Sequence, residues 1–250
     1  QLVEEGLLTL DEPVYNHLPQ IQDVEVLDGI SEQNNELILS KQQRPITLRQ
    51  LLTHTAGFGY GFTDPLLSKA VQRELIPQPP ADQPPFATTP LRYQPGTRWL
   101  YGINTDWVGV LIEQVRGQGL DRVFQDRIFE PLGMSDTHFY INAEKAERMV
   151  HPRRRRVDGS IDLEELVLSE PAFFNGGGGL YSTGPDYIRF LRSLLGQGEL
   201  EGARILSPAT VRLMATSHTG EKAIGPLASQ DPTFSNHADL YPGENNGFGL

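Results

Sequence analysis

The sequence predicts a chain of mixed helix and strand, α/β in the broad sense, on three observations. Apolar residues recur at helical spacing in segments that open on a hydroxyl cap, at Thr47, Thr105, Thr183 and Ser207. A glycine run, Gly176 to Gly179, reads as a tight turn into a strand at Leu180-Tyr181-Ser182-Thr183. Finally, Asn246-Gly247-Phe248-Gly249-Leu250 reads as a turn entering a strand with nothing after it to pair with. The 250 residues, 38% hydrophobic, suffice for one sizeable core or for two lobes sharing a cleft.

The elements follow in order. Gln1-Leu2-Val3-Glu4-Glu5-Gly6 has the form of a helix's final turns closed by glycine, so both ends of the chain read as cut through structural elements. A short apolar run from Leu7 to Val14 gives way to an acidic connection through Asp23, Glu25, Asp28, Glu32 and Glu36, read mostly as loop. Thr47-Leu48-Arg49-Gln50 is a capping box, in which the hydroxyl and the Gln50 amide cover orphan N–H groups of a short helix ending near His54-Thr55-Ala56-Gly57.

Six prolines between residues 77 and 90 predict an irregular, partly extended excursion, a lid or cleft rim. Thr105 is expected to cap a helix carrying Trp107, Val108, Val110, Leu111 and Val115 as far as Gly117. A second helix places Leu120, Val123, Phe124 and Ile128 on one face, with Pro131 as its stop. The charged run Glu144 to Arg156, followed by Glu164 and Glu165, reads as a solvated loop. A helix capped near Thr183 carries Ile188, Leu191, Leu194 and Leu195 up to Gly196, and Ser207-Pro208 opens another through Val211 and Met214. No repeat or clean linker divides the chain, so residues 1–250 are read as one domain.

Composition removes several function classes. Lys and Arg number 21 against 32 for Asp and Glu, a formal charge of -11 that repels nucleic acid and anionic lipid. Arg153 to Arg156 lack the interleaved aromatics of a nucleic-acid patch. With no cysteine there is no disulfide framework or thiolate metal site, and the six histidines form no close ligand pair. No metal or other cofactor is therefore expected. The Gly176 run lacks the residues of a phosphate cradle, and no Gly-x-Ser-x-Gly elbow occurs. No run approaches the ~20 apolar residues of a membrane span, and no leader opens the chain. Compartment, cytoplasmic or periplasmic or secreted, stays open, as does oligomeric state.

Four segments carry a resemblance: Gln1 through Val14, Ile46 through Gly57, Pro95 through Gly109, and Gly176 through Phe190. In this order and spacing they resemble the serine β-lactamase-like hydrolases, and within them the class C-related esterases, including the family VIII carboxylesterases. The resemblance covers nearly the whole chain. It implies an α/β (α+β), β-lactamase/transpeptidase-like fold in which a helical lobe packs on an antiparallel sheet, the sheet being incomplete here. Helices should then exceed strands, and apolar surface should lie exposed where the sheet would pack.

Such enzymes combine a Ser-x-x-Lys pair, a tyrosine motif and a late Lys-Thr-Gly-type strand. A serine hydroxyl is a weak nucleophile, so a base must take its proton during attack on an acyl carbon and return it to the leaving group. A tyrosine, with a free pKa of about 10, serves only where positive charge favours the phenolate or where the proton relays through lysine. The resemblance places Tyr101 in that role. Asn104 sits three residues after Tyr101 where the common pattern has asparagine two after, and the Tyr101-Gly102-Ile103 form is closer to the esterase branch.

No serine in the chain has lysine three places later. The resemblance therefore sets the nucleophile just before Gln1, and the late strand motif after Leu250. Phe58, Tyr60 and Phe62, with Asn104, are the candidate substrate contacts, simple packing being the alternative for the aromatic residues. His54 reads as a structural hydrogen-bonding residue, and Ser217-His218-Thr219-Gly220 as a decoy of the late motif. The expected activity is hydrolysis of a small-molecule ester by an acyl-enzyme, with β-lactam amides or D-amino peptides as alternative substrates. A pseudoenzyme or binding module that lost the nucleophile is the alternative of another class.

Overall fold

The computed structural model describes residues 1–164, 170–222, 224–239 and 247–250. Two residues used above, Glu165 and Asn246, lie outside these. In chain order the elements are β1 (Val26–Ile30), β2 (Leu37–Ser40), α1 (Leu48–Leu52), α2 (Pro65–Gln72), α3 (Asn104–Arg116), α4 (Leu120–Phe124), α5 (Glu130–Leu132), α6 (Ala143–Ala146), β3 (Arg153–Arg155), β4 (Ile161–Leu163), α7 (Gly184–Leu195), β5 (Glu199–Leu200), β6 (Ala203–Arg204) and α8 (Pro208–Met214). Helical residues exceed strand residues. The described strands form three separate antiparallel pairs, β1 with β2, β3 with β4 and β5 with β6.

The largest core surrounds α3. Trp107 is fully buried, with Phe58 at 6.0 Å and Phe86 at 5.2 Å between ring centroids. Leu51 of α1, Leu111 of α3, Leu91 and the early Val14, Leu18 and Ile21 complete this cluster. A second cluster gathers Phe129, Leu132 and Met134 with Leu200 of β5 and Ile205. The α7 face carrying Tyr187, Ile188, Leu191 and Leu195 is exposed, so the periodicity of that helix marks an apolar surface rather than a core face.

The capping signals at Thr47, Thr183 and Ser207 correspond to real caps. Thr47 accepts from the Gln50 N–H while Gln50 Oε1 accepts from the Thr47 N–H at 3.1 Å. Thr183 and Ser207 accept from Asp186 and Thr210 N–H groups. At the start of the chain Gly6 has φ of 70°, with Gly6 N donating to Val3 O and Leu7 N to Leu2 O, the bond pair of a left-handed helix terminus.

Other expectations are corrected. The acidic connection before Thr47 is a hairpin of β1 and β2, in which Val26 and Leu27 are buried and Asp28 faces out, so solvated charges mask the strand. Helix α2 was not anticipated, although Asp64 caps it by accepting from Leu66 and Leu67 N–H and Pro65 opens it. Thr105 does not cap α3, which begins one residue earlier with no side-chain cap and ends at Gly117, φ 63°.

Pro131 does not stop the second helical run. A π-helical turn over Gln125–Phe129 absorbs the irregularity, and the chain ends α5 at Gly133, φ 66°. The Arg127 carbonyl, four residues before Pro131 and so denied its N–H, accepts from Gln1 Nε2 at 3.1 Å. The arginine run is not loop: Arg153–Arg155 form β3, and Arg154 pairs with Glu164 and Arg156 with Asp162. The glycine run leads to a single bridge between Tyr181 and His138, and residues 247–250 form no strand. Among the described residues no helix is long and apolar enough to cross a membrane.

Candidate active site

The segment 95–102 is laid along 54–58 by backbone pairing. Gly96, at φ 77°, donates its N–H to Thr55 O at 2.7 Å, and Leu100 N donates to His54 O at 2.8 Å. At Gly102 the two segments touch so closely that a Cβ would lie 2.3 Å from Phe58 O. This pairing delivers Tyr101, half-buried, to the mouth of α3. Its ring lies between His54, centroids 5.0 Å apart, and Tyr60, 5.3 Å apart.

His54 is buried, and burial lowers its pKa to about 4. Asn104 Nδ2 donates to His54 Nδ1 at 3.1 Å, which makes Nδ1 the acceptor and leaves the ring proton on Nε2. A neutral imidazole fixed in one tautomer is the result. Asn104 Nδ2 also reaches Phe58 O at 3.2 Å. Asn104 is fully buried and Phe58 is sealed in the core against Trp107, so these two candidate substrate contacts face inward and hold the protein itself together.

Tyr60 and Phe62 are half-buried and stacked, centroids 4.9 Å apart at 19°. Phe234, exposed, meets Phe62 edge-on at 4.9 Å, and Gln230 N donates to Phe62 O at 2.8 Å. An aromatic wall thus runs from His54 through Tyr101, Tyr60 and Phe62 to Phe234. Phe248 adds an edge contact to His54 at 5.6 Å.

Asp106 was not singled out by the sequence, yet it holds Tyr60 of this wall. Its carboxylate accepts from the Tyr60 hydroxyl at 2.9 Å and from the Gly177 N–H at 3.0 Å. Burial, then the negative charge of Asp106, raises the Tyr60 hydroxyl above the usual tyrosine range, so it stays protonated and donates. An acid in the first helical turn is commonplace, and its partners lie 46 and 71 residues away in sequence, where no local pattern points to them.

The decoy segment has a structural place. His218 Nδ1 accepts from Arg49, which also forks onto Asp11 with two 2.7 Å bonds, and the His218 N–H donates to Phe248 O at 2.8 Å. Two surface depressions, of about 770 and 540 Å³, lie elsewhere, one beside Phe129, His138 and Lys145 and the other beside Val24, Leu37 and Pro77. No group of three His, Asp or Glu residues able to hold a metal ion occurs among the described residues.

Comparison with known proteins identifies relatives of the whole chain. The chain is 37% identical over 234 residues to the lovastatin esterase of Penicillium rubens, covering 89% of this chain and 57% of that protein. It is 34% identical over 222 residues to the monacolin J acid methylbutanoyltransferase of Aspergillus terreus, covering 86% and 52%. The unliganded simvastatin synthase of Aspergillus terreus superposes with a TM-score of 0.76 at 32% identity, covering 87% of this chain and 54% of that one. The chain thus spans about half the length of these relatives. The family model described as Beta-lactamase matches residues 1–231, and the chain belongs to that family.

Proposed function

We propose that this chain supplies the tyrosine-bearing part of a serine hydrolase that cleaves small-molecule carboxylic esters through an acyl-enzyme. The observation that carries this reading is Tyr101, half-buried at the mouth of α3 and flanked by a neutral His54 and a protonated Tyr60. The nucleophilic serine and its lysine are assigned to sequence outside this chain, which has no Ser-x-x-Lys. Residues 1–250 are then part of a single β-lactamase-like domain.

In this reading Tyr101, with the lysine, takes the proton of the serine hydroxyl as its oxygen bonds to the ester carbon. The same proton passes to the departing alcohol as the ester C–O bond breaks. Water, deprotonated in turn, releases the acid and regenerates the serine. An alcohol in place of water would make the reaction an acyl transfer, a second reading favoured by the likeness to the methylbutanoyltransferase. β-Lactam amides and D-amino peptides would be opened by the same steps.

The test uses the full-length protein with a short-chain nitrophenyl ester, a chromogenic cephalosporin and a fluorophosphonate label. Ester turnover with one labelled serine is the expected result, and Tyr101→Phe should lower acyl turnover by roughly 10²-fold or more, the worth of a positioned acid/base. Failure of the label to attach to any serine would overturn the hydrolase reading in favour of a pseudoenzyme or binding module. Undiminished hydrolysis by Tyr101→Phe would remove the role given to that residue.

A further inference from the structure

We infer that Tyr60 is a positioning residue for Tyr101, held by a buried clamp in which the Asp106 carboxylate joins the Tyr60 hydroxyl to the Gly177 backbone. This rests on the reading of Tyr101 as the base of an acyl-enzyme site. Asp106 is 5% exposed and stands in the first turn of α3, where the N-terminal end of the helix dipole favours its negative charge. Both of its oxygens are engaged, Oδ2 by Tyr60 Oη at 2.9 Å and Oδ1 by Gly177 N at 3.0 Å. Bonds to a charged acceptor are stronger than neutral ones and orienting, so both partners are held relative to α3.

The glycine side of the clamp tolerates no side chain. A Cβ on Gly177 would lie 2.7 Å from Asp106 Oδ2, and one on Gly176 would lie 2.2 Å from Thr105 O. The glycine run is therefore pressed directly on the start of α3. On the other side the Tyr60 carbonyl accepts from Thr63 N at 3.1 Å and Asp64 N at 3.0 Å, which anchors its main chain at the entrance to α2. With backbone and hydroxyl both held, the Tyr60 ring has one available orientation. The ring stacks on Phe62 at 4.9 Å and meets Tyr101, tilted by 59°, at 5.3 Å. Three segments distant in sequence thus determine where the Tyr101 ring can sit.

A clamp of this kind acts on rate rather than on substrate affinity. Loss of the Tyr60 hydroxyl leaves the ring in the wall but frees its orientation, and Tyr101 loses a fixed neighbour. Asp106→Asn retains an oxygen acceptor for Gly177 and an amide donor for Tyr60, whereas Asp106→Ala retains neither.

The experiment compares full-length wild type, Tyr60→Phe, Asp106→Asn, Asp106→Ala and the double variant Tyr60→Phe/Asp106→Ala. Ester kinetics, melting temperature and the ¹⁹F spectrum of protein grown on 3-fluorotyrosine are measured, with the Tyr101 resonance assigned through Tyr101→Phe. Tyr60→Phe should lower kcat roughly 10-fold, short of the ~10²-fold cost of a 1 Å misplacement, with KM changed by less than about 2-fold. Asp106→Asn should recover most of the kcat lost in Asp106→Ala, and adding Asp106→Ala to Tyr60→Phe should cost little more. The Tyr101 resonance should shift or broaden in Tyr60→Phe. Wild-type kcat in Tyr60→Phe, losses that track melting temperature across the series, or an unmoved Tyr101 resonance overturns the proposal. A wild type that hydrolyses no ester overturns the hydrolase reading instead, and the resonance then decides the clamp by itself.

Discussion

Asn104 Nδ2 lies 3.1 Å from His54 Nδ1, a bond between the first residue of α3 and a residue just past α1. It sets the histidine tautomer and ties the tyrosine-bearing turn to the segment beneath it. His54 itself has φ of 55°, a conformation unusual for a non-glycine residue, and the Leu100 N–H holds its carbonyl at 2.8 Å.

The burial of His54 predicts a pH dependence of stability. Its folded pKa of about 4 lies below the ordinary 6.5, so between these values the unfolded chain binds more protons than the folded one. Stability from this group is intact above about pH 6.5 and is lost as the pH falls through about 4, by about 3 kcal/mol in total. Denaturant melts across this window should show the decline, and His54→Asn should flatten it.

The glycine run predicts a contrast between neighbours. Gly176→Ala drives a methyl to 2.2 Å from Thr105 O and 2.8 Å from Gly109 N, both backbone atoms that cannot turn aside. Overpacking of this kind should cost about 1–3 kcal/mol or more. Gly178→Ala meets nothing within 4 Å and should stay within about 0.5 kcal/mol of wild type in the same melts.

The ion pair of Arg92 and Asp64 predicts a large loss when broken. Arg92 Nε and Asp64 Oδ1 are 2.7 Å apart, with the side chains 13% and 4% exposed, and Asp64 also caps α2. Removing one partner of a buried pair strands the other, so Asp64→Ala should destabilise by about 3–5 kcal/mol. Asp64→Asn keeps an oxygen for the Leu66 and Leu67 N–H groups and should lose less, as read from denaturation midpoints.

The capping box predicts a smaller effect. Thr47→Ala removes the acceptor for the Gln50 N–H, at 3.3 Å, and should cost about 1 kcal/mol. Thr47→Ser should be close to wild type by thermal melting.

By itself, the sequence determined the local features whose physics is local. A hydroxyl followed by helical spacing specifies a cap, which is why Thr47, Thr183 and Ser207 were legible, as were the Gly6 and Gly117 terminations. The ordered motifs around Tyr101 and Gly176 also identified the family. The hairpin at Val26–Ile30 was hidden because its strand character comes from pairing with Leu37–Ser40 and from burial of Leu27, neither of which alternation reveals. Tertiary structure alone decided the rest. Whether an aromatic residue faces a cleft or a core depends on what packs behind it, so Phe58 went to Trp107 while Tyr60 stayed at the wall. Asp106 finds its partners in a hydroxyl 46 residues before it and an N–H 71 residues after it, and only the folded chain brings those three together.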